Sequence, residues 1–157
     1  MIHGLRQLSW SVLNKIIRFE FPDVTPISTA NLAHWLESPN PNPPLLLDTR
    51  TAEEFAVSHL AHAQRLDPKL RSPIDQMPFL KDLDRDTPIV TYCSVGYRSA
   101  AIARKLKQAG YTRVWNLEGS IFQWANEGRP IYRNGQAVHQ VHPYNRMWGM
   151  LSKPGFR

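Results

Sequence analysis

The sequence predicts an α/β domain: a small central parallel sheet of about five strands with helices on both faces. Three observations carry that expectation. LLLD at 45–48 is a continuous apolar run ending in Asp48, and Ile89–Tyr92 is a second. Runs of this length and composition suit strands buried on both sides. Stretches of helical periodicity lie between them, and strands alternating with helices build a parallel sheet. The chain has 157 residues, which fits one domain with short appendages. A chain of this size can bury a core without staples.

The elements follow in order. GLRQLSWSVLNKIIRFEF carries Leu5, Leu8, Val12, Ile16 and Phe19 at helical spacing, widened by Leu13 and Ile17. It reads as an amphipathic helix ended by Pro22. Val24–Ser28 is a short extended piece. Ser28 or Thr29 caps a helix through Leu32, Trp35 and Leu36. The Pro/Asn loop at 38–44 stops that helix. The strand at 45–48 follows. Thr51 and Glu54 form a capping box for a short helix over Ala52–Val57. Ala63–Arg65 is an edge-strand candidate. Residues 66–87 are polar and proline-broken, with a helical turn near Ile74–Leu80. After the strand Ile89–Tyr92, Tyr97–Ala109 has helical spacing and stops at Gly110. Val114–Leu117 is a strand, and Ile121–Glu127 a helix. These boundaries divide the chain into an N-terminal helix extension (1–23), a central domain (24–130) and a basic, aromatic tail (131–157) without clear period.

Composition narrows the function. Hydrophobic residues make up 42% and charged residues 20%, which excludes collagen, low-complexity disorder and a membrane bundle. No run reaches the ~18 apolar residues of a membrane span, and the N-terminus lacks the h-region and cleavage site of a secretory leader. The single cysteine, Cys93, excludes an intramolecular disulfide and suits a reducing, cytoplasmic compartment. The net charge is +6. The tail holds Arg133, Arg146, Lys153 and Arg157 with no acid, so much of the excess lies outside the central domain. No nucleic-acid motif accompanies it, and no nucleic-acid partner is expected. The N-terminal helix packs on its own domain, or residues 4–19 contact a membrane surface or a partner.

The chemistry concentrates in PIVTYCSVGYRSAAIARKLKQAG, residues 88–110. Cys93 stands at the carboxyl end of a buried strand, where open parallel sheets place their ligands. A short loop with Gly96 then enters a helix. Loop amides and the helix N-terminus supply unpaired donors and partial positive charge. Arg98 adds a full charge and Ser99 a hydroxyl. The expected product is an anion cradle with a sulfur at its base, formed by Cys93, Ser94, Val95, Gly96, Tyr97, Arg98 and Ser99. Such surroundings predict that Cys93 is largely thiolate at neutral pH and needs no separate base. The alternative is an inert buried cysteine. Tyr97 is expected either as a pocket wall or pointing outward.

At this point the sequence resembles the rhodanese-like family over about residues 24–130. CSVGYRS at Cys93–Ser99 is similar to the family's active loop, C-x-x-G-x-R-S. LLLDTR resembles its strand ending in D-x-R, with Asp48 and Arg50. AEEFAVSHLAHA at 52–63 and LEGSIFQWANEGRP at 117–130 resemble two further landmarks. Ser58, His62 and Ser120 stand where the family usually has Gly, and Gln64 where it often has Asn.

The resemblance implies a three-layer α/β/α fold of rhodanese type and sulfur transfer. Cys93 would take a sulfane sulfur from thiosulfate or a persulfide donor, carry it as a persulfide, and yield it to a thiol or other thiophilic acceptor. The amides of Ser94 to Ser99 would hold the terminal sulfur, and Arg98 would orient the donor. Asp48 and Arg50 would support the site or fix neighbouring strand ends. The other readings are a non-catalytic binding or persulfide-carrier module and a cysteine phosphatase or arsenate reductase. The family's phosphatase relatives use C-x5-R, one residue longer than Cys93 to Arg98. No cofactor and no metal are expected. His59 and His62 are three apart but have no evident third ligand, and His139 and His142 are equally weak. Trp35 and Trp124 are expected in the core.

Overall fold

The structure is a computed structural model that describes residues 2–39, 41–144, 150–153 and 155, with side chains from residue 8 onward. Asn40, Arg146, Trp148, Phe156 and Arg157 lie outside the described residues, as does the side chain of Leu5.

Five parallel strands form the central sheet: β1 (Thr25–Ile27), β2 (Leu45–Asp48), β3 (Gln64–Arg65), β4 (Ile89–Tyr92) and β5 (Val114–Leu117). Their order is β1-β5-β4-β2-β3, so β4 is central. Asp48 pairs with Tyr92, which brings the carboxyl ends of β2 and β4 level. From β2 the chain moves on to β3, and from β4 to β5 on the other side. A crevice therefore opens between the ends of β2 and β4.

Strand alternation builds a core on each face. Leu46, Val90, Tyr92 and Leu117 enter one cluster with Leu32, Ile121, Phe122 and Trp124. These last come from α2 (Thr29–Glu37) and α5 (Ser120–Asn126). Leu47, Ile89 and Val114 enter the other with Ala100, Ile102, Ala103 and Leu106, all from α4 (Tyr97–Gln108). The short 3-10 turn Ile74–Gln76 and Leu80 close that face. Ser28 caps α2 through the Asn31 amide. In α3 (Ala52–Val57) Thr51 and Glu54 complete the expected capping box. Trp35 packs edge-on against Trp115 at 5.2 Å.

Two expectations need correction. The N-terminal helix forms as α1 (Ile2–Glu20), but the stripe Leu8, Val12, Ile16 and Phe19 faces solvent. Trp10, Ile17 and Phe21 are buried instead, and they reach both core clusters. The segment carries two apolar stripes, and the one with the larger rings buries more apolar surface. The tail is also not devoid of pattern. β6 (Ile131–Arg133) and β7 (Gln136–Val138) form an antiparallel hairpin. Asn134 and Gly135 make its turn, both with positive φ, 51° and 75°. Asn-Gly between short strands is a hairpin signal. The hairpin joins the body where the His59 and Tyr132 backbones exchange hydrogen bonds of 2.9 and 2.8 Å.

Candidate functional site

Cys93 follows β4 and is 1% exposed. Its chain turns sharply because Gly96, at φ 112°, caps α4 in a conformation L side chains rarely adopt. That turn aims the Gly96 amide at the Cys93 Sγ, 3.1 Å away. The Ser99 hydroxyl lies 3.5 Å from the same sulfur. The amide contact stabilises negative charge on sulfur, and the α4 N-terminus adds its dipole, whereas the Ser99 proton goes to Asn116.

The loop is fastened from below by Asn116 and Thr91, which the sequence does not single out, and by Ser120. The Asn116 Nδ2 on β5 donates to the Gly96 carbonyl at 2.9 Å, and Ser99 donates to the Asn116 Oδ1 at 2.6 Å. Thr91 donates to the Ser99 carbonyl at 3.0 Å. The Cys93 amide donates to the Ser120 hydroxyl at 3.1 Å, which donates onward to the Leu117 carbonyl at 3.0 Å. Ser120 has φ 48° and His62 φ 58°. Both hold the left-handed backbone region that glycine enters most readily. Ser120 adds a hydroxyl that glycine could not offer to the cysteine amide.

Arg98 reaches the pocket, but its charge is already matched. Glu54 on α3 takes two hydrogen bonds from its guanidinium, both 2.8 Å, across the crevice. Ser94 donates to Glu54 at 2.9 Å and accepts from Arg98 at 3.0 Å. Burial pushes the Glu54 carboxyl up, but the Arg98 hydrogen bond, the Thr51 amide and the Arg98 charge outweigh it and hold the pKa at about 2. Burial likewise opposes the Arg98 charge, and the Glu54 hydrogen bonds and nearby negative charge keep its pKa above the ordinary value. The capping motif revealed Glu54 as a helix residue. Its second use depends on α3 and α4 meeting in space.

Cys93, Ser94, Val95, Tyr97, Arg98 and Tyr144 line a cavity of about 220 Å³. Tyr97 serves as a wall while staying half-exposed. Its hydroxyl donates to Glu20 at 2.5 Å and its ring meets Phe21 edge-on. The Tyr144 ring lies over the Arg98 guanidinium, 4.3 Å from centroid to carbon. Ile17 of α1 comes within 3.5 Å of where a Gly96 Cβ would stand, so the helix backs the active loop.

Asp48 and Arg50 do not line this cavity. Both side chains are fully buried and joined by hydrogen bonds of 2.9 and 2.6 Å. Arg50 also donates to the Ser58 carbonyl at 2.6 Å. They clamp the end of β2 to the turn after α3. His59 stacks on Phe55 at 4.1 Å, and its Nδ1 lies 3.0 Å from the Leu60 carbonyl oxygen. No cluster of three or more metal-ligating side chains occurs among the described residues. None of the described helices is long and apolar enough to cross a membrane.

Comparison with known proteins agrees with this geometry. The Rhodanese-like domain family matches residues 28–127. A sulfurtransferase from Allochromatium vinosum is 38% identical over 88 residues, covering 55% of this chain and 77% of that protein. A probable adenylyltransferase/sulfurtransferase MoeZ from Mycobacterium tuberculosis is 35% identical over 104 residues, covering 66% of this chain but 25% of that longer protein. Among solved structures, a rhodanese-related protein from Thermoplasma volcanium superposes with a TM-score of 0.56 at 26% identity, covering 69% of this chain and 97% of that one.

Proposed function

The chain belongs to the rhodanese-like family, and from that premise we propose that it is a sulfurtransferase that carries sulfur on Cys93. One observation supports this most: the only cysteine of the chain lines a small cavity with a backbone amide directed at its sulfur.

The Cys93 thiolate attacks the sulfane sulfur of thiosulfate. The new S–S bond forms as the old one breaks, and sulfite leaves with the bonding pair. The enzyme then holds Cys–S–S⁻, whose terminal charge is held by the amides of Ser94 to Ser99. A thiophilic acceptor attacks the outer sulfur and returns the Cys93 thiolate: cyanide gives thiocyanate, and a thiolate gives a new persulfide. A persulfide donor loads Cys93 the same way and leaves as its thiolate. This is nucleophilic catalysis with electrostatic stabilisation. The chain's own thiol chemistry suits a reducing compartment such as the cytoplasm.

The phosphatase reading finds less support. Among the described residues, Arg98 is the only cation lining the cavity, and the Glu54 carboxylate already neutralises it. The decisive experiment is intact-mass measurement after thiosulfate treatment. The expected result is a gain of one sulfur atom, lost with cyanide and absent in Cys93→Ser. A protein that never gains sulfur from thiosulfate or a persulfide is a binding module instead.

A further inference from the structure

We infer that the chain beyond the family match completes the cysteine pocket, and that Tyr144 is a specificity-determining wall that admits slender sulfur donors and excludes bulky ones. The donor part of this inference rests on the sulfur-transfer reading; the wall itself does not.

Tyr144 lies outside residues 28–127, yet it lines the cavity above Cys93. Its ring covers one face of the Arg98 guanidinium at 4.3 Å, while Glu54 holds the edge of the same group. Arg98 is thus gripped between a carboxylate and an aromatic face. Tyr97 forms the other aromatic wall.

The segment is tied to the body on both sides of Tyr144. Before it, Val141 is buried in the core cluster of the α2 and α5 face. After it, the Leu151 carbonyl accepts from the Asn126 Nδ2 and the Lys153 amide donates to the Asn126 Oδ1, both at 2.7 Å. The Tyr144 backbone has φ 62°, and its N–H donates to the His142 Nδ1 at 3.0 Å. A bulky residue adopts that conformation only when its surroundings impose it.

The cavity opens to solvent past the half-exposed Tyr97 and Tyr144, and its volume of about 220 Å³ is below the ~300–1,000 Å³ of sites for drug-sized ligands. The sulfur lies at its floor with 1% exposure. A donor must therefore present its sulfur on a narrow head. Thiosulfate meets that demand. A tripeptide persulfide such as glutathione persulfide carries peptide groups close behind its sulfur and meets the tyrosine walls first.

The test uses the full chain and reads Cys93 by intact mass. Alkylation rates are measured with iodoacetamide and with a fluorescein-bearing iodoacetamide, for wild type, Tyr144→Ala and Tyr144→Phe. Tyr144→Ala should raise the bulky-to-small rate ratio by about tenfold, at the low end of steric discrimination by a pocket. Tyr144→Phe keeps the ring and should restore the wild-type ratio. An unchanged ratio in Tyr144→Ala overturns the wall. In a second arm, sulfur loading is compared between thiosulfate and glutathione persulfide. Tyr144→Ala should gain loading from the tripeptide donor relative to thiosulfate, and an unchanged preference overturns the donor claim. If no form gains sulfur from either donor, the sulfur-transfer reading and the donor claim fall together, and the alkylation ratio still decides the wall.

Discussion

At the residue scale, the site depends on one left-handed glycine. Gly96 must hold φ 112° for its amide to meet the Cys93 sulfur. An added Cβ would find ordinary contacts at 3.5 Å with Ile17 and the Leu117 carbonyl, so the cost is conformational rather than steric. Gly96→Ala should lose about 1–3 kcal/mol of stability. It should also slow sulfur loading of the folded protein, because the amide turns away. Denaturant melts and loading rates check this, and a variant that loads at the wild-type rate would separate the amide from the chemistry. Ser120 is the counterexample. It tolerates φ 48° and uses its hydroxyl to hold the Cys93 amide.

At the element scale, two attachments position the loop. The first is the clamp at the end of β2. Asp48 and Arg50 are buried with no exposure. Removing one partner of such a pair strands a charge and costs about 3–5 kcal/mol. Asp48→Ala should therefore lower the urea midpoint sharply, and Asp48→Ala with Arg50→Met should recover part of the loss. Equal losses in the single and double variants would show that the pair's charge is not the cause. The second attachment is α1. Burying a large apolar side chain is worth about 1.5–3 kcal/mol, and α1 together with the residue after it buries Trp10, Ile17 and Phe21. Deleting residues 1–21 should cost several kcal/mol as an upper estimate. At ~2–4 °C per kcal/mol for a domain of this size, the melting temperature should drop clearly. An unchanged melting temperature would mean that the helix is not part of the folded unit.

At the scale of the whole molecule, an ion pair spans the crevice at the ends of the paired strands β2 and β4. Glu54 comes from the β2 side and Arg98 from the β4 side. Glu54 titrates at about 2 when folded and near 4.5 otherwise. A depressed carboxyl pKa stabilises the fold above its unfolded value, and that stability is lost as pH falls. The pair should contribute on the order of 2–3 kcal/mol at neutral pH, lost between about pH 4.5 and 2. Glu54→Gln should be less stable than wild type at pH 7 and should show a flatter decline in acid. Denaturant titrations at pH 7 and pH 3 compare the two. Parallel declines would remove Glu54 from the acid response.

The sequence by itself determined the strand and helix pattern and the chemistry of the loop. Leu45–Asp48, Ile89–Tyr92, Ala52–Val57 and the helix start at Tyr97 were legible because apolar runs, caps and a glycine turn act over a few neighbouring residues. For the same reason Cys93, Gly96, Arg98 and Ser99 could be grouped from spacing alone. Contacts between distant segments were not legible. The pairing of Glu54 with Arg98 spans 44 positions, and that of Asn116 with Gly96 spans 20. Neither leaves a periodic trace, since each depends on which strands become neighbours. The docked face of α1 had two apolar stripes to choose from, and only the available core surface chose between them. Tyr144 lines the cavity of Cys93, and buried Val141 and the Asn126 hydrogen bonds fasten the chain on either side of it to the body. Local chemistry is written in adjacent residues, whereas the walls and charge balance of the pocket arise from packing that brings remote ones together.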